Sequence, residues 1–179
     1  MIGKLIIETA ADHPAELRTR EELVALLAEH DCSGLRWASR VLIRRGDVPH
    51  SHPTLTLNTR SSGDGLLAIY LHEQLHWWTV RCPGTQPAIE ATRQDWPSVP
   101  AASAGGARDD ASTRLHLIVC FLEQRGLEHV LGASRATAIA RGDLYQWVYR
   151  QVIERADVLS EICDRHGLWP PALAEKLPG

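Results

Sequence analysis

The sequence predicts an α+β protein in which a small mixed sheet is followed by a helical C-terminal half. Short runs with alternating or β-branched apolar residues fall in the first 60 residues, and long stretches with helical periodicity dominate the remainder. The chain has 179 residues, 44% of them hydrophobic and 23% charged, which suits one domain with a substantial core. The predicted order is β-α-β-β-α, a long loop, and two further helices.

The three predicted strands are residues 4–8, 35–45 and 54–60. The first is short and apolar (KLIIE), and the second alternates around Val41 and Ile43. The third, TLTLNTR, combines threonines with leucines on one side, a pattern that fits a strand at or near the edge of a sheet.

Two helices are predicted in the N-terminal half. Thr19 followed by Glu22 has the spacing of a capping box, and the leucines after it predict a helix that ends near His30. The second helix is expected over residues 64–81, because Pro83 cannot continue it.

Residues 84–110 are rich in Pro, Ala, Ser and Gly and show no sustained period. This composition predicts a long flexible loop, which we interpret as a lid with Trp96 as its anchor.

The C-terminal half is expected to hold two helices. The first is capped at Asp110 or Ser112 and ends before Gly132, and the second spans residues 143–166. Residues 170–179 are predicted to form a short tail.

The net charge and the cysteines indicate which binding partners and which cellular compartment to expect. The net charge of −3 gives no basic field for nucleic acid or an anionic membrane, and no apolar run reaches membrane-spanning length. The N-terminal apolar segment is too short for a signal peptide. The cysteines form no Cys-x-x-Cys pair, so we expect reduced thiols in a cytoplasmic protein.

The strongest candidates for a metal site are the polar residues of HEQLH, residues 72–76, inside the apolar stretch LLAIYLHEQLHWWTV. Two histidines four apart on a helix lie one above the other and can bind one metal ion. Glu73 lies beside that face, where it can act as the general base toward a metal-bound water. Burying three such side chains costs free energy, and a zinc ion would offset that cost.

With HEQLH, the strand TLTLNTR before it and a later helix able to supply a ligand, the chain resembles the zincin metallohydrolases. This resemblance implies a zincin-like fold, one Zn²⁺ per chain, hydrolysis of amide or peptide bonds, and an extended substrate along residues 54–58. The residues after His76 lack the Gly and His of metzincins, and the further motifs of deformylases are also missing. The resemblance is therefore closest to the gluzincins.

A catalytic zinc site needs a third protein ligand. The candidates lie in RLHLIVCFLEQRGLEHVLG, residues 114–132. Glu123 is the first choice for the ligand, which places His116 toward the substrate as an oxyanion or proton donor. The reverse assignment, with His116 as the ligand, stays open because Leu127 stands where gluzincins carry Asp.

Several other residues receive weaker predictions. Tyr149 is a candidate oxyanion donor, with packing as the alternative. His50 and His52 lie in a turn and are either exposed or near the substrate. We expect Cys120 to be an inert buried thiol.

The sequence thus predicts a cytoplasmic zinc hydrolase with a narrow range of peptide or small amide substrates. Two alternatives are a metal-dependent tailoring enzyme for a small metabolite and a non-catalytic regulatory or binding module with the zincin fold. The paired Trp77 and Trp78 suggest a possible homodimer.

Overall fold

The computed structural model describes residues 4–140 and 145–174. The chain divides into two compact units, Met1–Trp78 and Thr79–Gly179, and each is described by itself. The first unit holds all the described strands, and the second is helical, which confirms the α+β class. Within the described ranges, no helix is both long enough and apolar enough to cross a membrane.

The sheet of the first unit has three short strands, β1 (Ile6–Thr9), β2 (Arg40–Ile43) and β3 (Leu55–Leu57), in that order. Both pairs are parallel, with Ile7 opposite Val41 and Val41 opposite Leu55. The expectation of a mixed sheet is therefore wrong for the described strands. β3 lies at an edge, as its sequence pattern predicts, and both of its leucines are fully buried.

The connection between β2 and β3 explains how neighbouring strands are parallel without a helix between them. A parallel partner requires the chain to return to the starting end of the sheet. Here the return segment, residues 44–54, runs beside the outer edge of β3, and His50 forms an antiparallel bridge with Thr56.

Helix α1 (Pro14–Glu29) begins six residues earlier than predicted. Its N-cap is His13, whose ring accepts a hydrogen bond from the backbone of Ala15, and Glu16 completes the capping box. Thr19 instead lies inside the helix, where its hydroxyl donates to the carbonyl of Ala15. The predicted cap at Thr19 was wrong because Pro14 at the first helical position and Glu16 at the third give the stronger start signal.

Helix α2 (Gly63–Arg81) confirms the predicted helix that carries HEQLH, and the boundary between the units falls within it. Gly63 has a positive φ of 52°, and its N–H donates to Glu22 Oε1 over 2.6 Å. Leucines at four positions of this helix are at most 1% exposed: Leu66, Leu67, Leu71 and Leu75.

The second unit is built around α4 (Asp110–Leu131), which contacts α3 (Thr85–Asp95), α5 (Ala133–Ala140), α6 (Gln146–Glu154), α7 (Ala156–His166) and α8 (Pro171–Ala174). The N-cap of α4 is Asp109 rather than the predicted Asp110 or Ser112, and its side chain accepts from the N–H of Ser112. Gly132 ends the helix, as predicted.

The predicted flexible loop over residues 84–110 is wrong over much of its length. Residues 85–95 form α3, and Ala102–Ala104 form a 3₁₀ turn. Trp96 is 5% exposed, and its ring N–H donates to Gln151 Oε1 over 2.8 Å. Trp96 therefore belongs to the core of the second unit, which removes the argument for a lid anchored there.

The single helix expected over residues 143–166 is two helices, α6 and α7, interrupted at Arg155. The guanidinium of Arg155 pairs with Asp95 at 2.6 Å and lies over the ring of Trp96. Residues 143–144 of the predicted helix and residues 175–179 of the predicted tail lie outside the described part of the chain.

Candidate metal centre

The two histidines of HEQLH meet at their ring nitrogens. The Nε2 atoms of His72 and His76 lie 3.2 Å apart, and the ring centroids are 4.9 Å apart with an edge-on orientation. Two nitrogen ligands at about 2.0–2.1 Å from a tetrahedral ion are separated by about 3.3 Å. The pair thus has the spacing of two ligands to one ion, and the same distance suits an N–H···N hydrogen bond.

Glu73 lies next to this pair and is 6% exposed. Successive helical residues are rotated by about 100°, so its side chain leaves the helix beside the histidine face rather than opposite it. The motif therefore combines two nitrogen ligands with a shielded carboxylate.

Gln74, inside the motif, forms three hydrogen bonds to the backbone of the first unit. It is fully buried, and its Oε1 accepts hydrogen bonds from the backbone N–H groups of Trp37 and Ala38, each over 2.7 Å. Its Nε2 donates to the carbonyl of Ala38 over 3.2 Å. The sequence does not reveal this role, because the bonded residues are 36 and 37 positions away.

The outer edge of β3 is already occupied at its centre. The N–H of Thr56 donates to the carbonyl of His50 over 2.8 Å, and the N–H of His50 donates back over 3.1 Å. The carbonyl of Thr54 accepts from the Thr56 hydroxyl. The expectation that residues 54–58 pair with an extended substrate therefore conflicts with the hydrogen bonds that the strand makes within its own unit.

His52 and Trp77 connect this return segment to α2. Their rings stack with centroids 4.2 Å apart, and the indole N–H donates to the carbonyl of Ser51 over 2.7 Å. The neighbouring Trp78 contacts Trp37, with ring centroids 5.1 Å apart. Both tryptophans of the pair thus have partners within the first unit, and the possible homodimer stays a prediction without support from them.

In the second unit, Glu123 and Tyr149 form a direct hydrogen bond. The Tyr149 hydroxyl donates to Glu123 Oε2 over 2.7 Å, and Glu123 is 2% exposed. Burial, together with the neighbouring Cys120 and Glu123, raises the pKa of Tyr149 well above its usual value. Tyr149 is therefore a neutral donor that orients the carboxylate, and its predicted role toward an oxyanion stays a prediction.

His116 is held by its own helix. Its Nδ1 lies 2.7 Å from the carbonyl oxygen of Ser112, and its ring contacts Tyr145 with centroids 4.5 Å apart. A carbonyl oxygen only accepts, so Nδ1 carries the proton, and Nε2 of the neutral ring is the nitrogen with the lone pair. Such an arrangement is typical of histidines that ligate metal ions.

Each unit contains side chains with donors for a metal ion. His72 and His76 lie in the first unit, and His116, Cys120 and Glu123 lie in the second. Cys120 lies between His116 and Glu123 on α4, so its possible place in a donor set was visible from spacing, although we expected it to be inert. The histidines and the thiol are donors that favour zinc over magnesium or calcium.

Comparison with known proteins adds no assignment. No family model, curated protein or solved structure matches the chain. The functional interpretation therefore rests on the residues themselves.

Proposed function

We propose that the chain is a zinc-dependent hydrolase of amide or peptide bonds with a narrow substrate range. The observation that carries this proposal is the separation of 3.2 Å between the Nε2 atoms of His72 and His76, beside the buried Glu73. Two imidazoles that converge on one point beside a carboxylate are the arrangement that a metal-activated hydrolase requires.

In this proposal His72 and His76 bind the ion through Nε2, and the third ligand is one of the two that the sequence predicts, His116 or Glu123. We favour His116, because its bond to Ser112 leaves Nε2 as the ligating nitrogen, whereas the sequence alone favoured Glu123. Glu123 is the second candidate, since Tyr149 orients its carboxylate in a comparable way.

A bound zinc ion would polarise the substrate carbonyl and make water more acidic. Glu73 takes the proton of the attacking water on its carboxylate and delivers it to the departing nitrogen. The low exposure of Glu73 limits competition from bulk water for that proton. The zincin-like fold, which the resemblance implies, belongs to the same proposal.

The contacts of β3 favour compact substrates over long extended peptides. An extended peptide would need the outward backbone groups of Thr56, and His50 already binds both of them. Small amides and short peptides do not require that pairing, so we propose these as the substrate class.

The test compares the wild type with Glu73→Gln after both are loaded with zinc. Short peptides and N-acetyl amino acid amides serve as substrates, and Glu21→Gln, an exposed acid on α1, is the matched control. We expect Glu73→Gln to keep its zinc and to lose about 10²–10⁴-fold in turnover, because the base is gone.

Full activity in Glu73→Gln would refute the role of that residue. Turnover of a small metabolite, without turnover of the short peptides or the N-acetyl amino acid amides, would favour the tailoring enzyme. A zinc-loaded wild type that turns over none of these substrates would favour the regulatory or binding module.

A further inference from the structure

We propose that Gln74 is a positioning residue for the metal centre, and that it sets the rotation of α2 about its own axis. This inference rests on the proposed metal site, because its consequence is the direction in which His72 and His76 face. It assigns a purpose to one of the two variable positions of the His-Glu-x-x-His pattern.

The hydrogen bonds of Gln74 fix α2 to one backbone segment of the first unit. This segment, residues 37–38, lies between the 3₁₀ turn Ser33–Leu35 and strand β2. The amide of Gln74 accepts two backbone N–H groups and donates to one carbonyl there. Because Gln74 is fully buried, water cannot replace any of these partners.

Because of the position of Gln74 on the helix, these bonds determine the direction in which the histidines face. Gln74 is two residues after His72 and two before His76, so it lies about 200° from each, opposite the middle of the pair. Side-chain atoms lie about 5–6 Å from a helix axis, and a rotation of about 10° moves them by about 1 Å. A metal site tolerates about 0.5 Å of misplacement, so a rotation of α2 by about 10° would move the histidines out of position.

Glutamine is suited to this task in a way that its closest substitutes are not. Methionine conserves the shape but leaves two backbone N–H groups and one carbonyl without their partner. Glutamate keeps the acceptor for both N–H groups and, when ionised, cannot donate to the carbonyl of Ala38. Gln74→Met therefore loses all three hydrogen bonds, whereas Gln74→Glu loses only the one to the carbonyl of Ala38.

The experiment measures zinc affinity by competition with a chelator in the wild type, Gln74→Met and Gln74→Glu. The absorption spectrum of the Co²⁺-loaded proteins reports ligand geometry. Leu26→Ala, a core truncation on α1, is the control for lost stability, which is measured for every variant by urea unfolding. We expect Gln74→Met to bind zinc at least about tenfold more weakly with an altered Co²⁺ spectrum, and Gln74→Glu to retain more of the affinity.

Leu26→Ala is expected to keep the affinity and spectrum of the wild type despite its lower stability. Wild-type affinity and spectrum in Gln74→Met would overturn the inference while leaving the metal site intact. A wild type that binds no zinc would instead end the proposed function and this inference with it.

A measurement on the unaltered protein covers the case in which Gln74→Met does not fold. If the hydrogen bonds and the metal site are coupled, zinc slows hydrogen exchange at the amides of Trp37 and Ala38, which bond to Gln74. Exchange rates at these two amides that zinc leaves unchanged would overturn the proposal.

Discussion

Replacing Tyr149 with phenylalanine removes one hydroxyl group and keeps the ring. That hydroxyl donates to Glu123 Oε2 over 2.7 Å, and Glu123 is 2% exposed. Water therefore has little access to the carboxylate oxygen that loses its donor. A hydrogen bond to a charged group contributes about 1.5–3 kcal/mol, so we take about 2 kcal/mol as the expected loss of unfolding free energy.

This loss corresponds to a shift of about thirtyfold in the folding equilibrium. With a urea m-value of about 2 kcal/mol per M, the unfolding midpoint falls by about 1 M. The raised pKa of Tyr149 keeps the hydroxyl protonated, so we expect the same difference at pH 6 and at pH 8.

The assay is urea unfolding followed by circular dichroism for the wild type, Tyr149→Phe, Glu123→Gln and the double variant. The double-mutant cycle isolates the contact, and we expect a coupling energy of about 1–2 kcal/mol. A Tyr149→Phe protein within about 0.5 kcal/mol of the wild type, or a coupling energy near zero, would refute this reasoning.

Three further predictions address the fold and the site. Backbone N–H donors, that of Arg45 above all, hold the pKa of Glu16 below its usual value, so Glu16 stabilises the fold above about pH 4.3 and less as the pH falls through its lowered pKa. The stability difference between the wild type and Glu16→Gln, measured by urea unfolding between pH 7 and pH 2, should therefore shrink with acid, and a constant difference would contradict this. The amide hydrogen of Thr56, which is bonded to His50, should exchange with solvent at least about tenfold more slowly than that of an unstructured residue. Exchange at the unstructured rate would show that the outer edge of β3 is open to a substrate. His116→Gln should weaken zinc binding about 10–100-fold and more than Glu123→Gln does, and the opposite order would return the third ligand to Glu123.

The helices with the longest apolar periods were predictable to within a residue or two. α2 and α4 carry their own start and stop signals, such as Asp109 at the beginning of α4 and Gly132 at its end. Their periodic leucines also exclude the strand alternative.

Helix α3 was missed because its stabilising contacts come from distant residues. Only Ala88, Ile89 and Thr92 are buried within it, too few to give a clear period. Part of its support comes from Arg114 on α4, which is fully buried and donates to the Thr92 hydroxyl over 3.3 Å. Such long-range burial leaves no local pattern in the sequence.

The same distinction applies to the candidate metal centre. The spacing of His72 and His76 follows from one helical turn, so the sequence predicted their convergence. The bond from Gln74 to Trp37 and the bridge between His50 and Thr56 depend on how the chain returns across the first unit. Periodicity contains no information about that return.

The most direct test of the central claim is the zinc content of the wild type, purified without added zinc and dialysed, with His76→Gln treated in parallel. We expect about one equivalent of zinc per chain for the wild type, and much less for His76→Gln. A wild type without zinc that is also not stabilised when zinc is added would contradict this expectation. The contact of 3.2 Å between His72 and His76 would then be a hydrogen bond between two imidazoles.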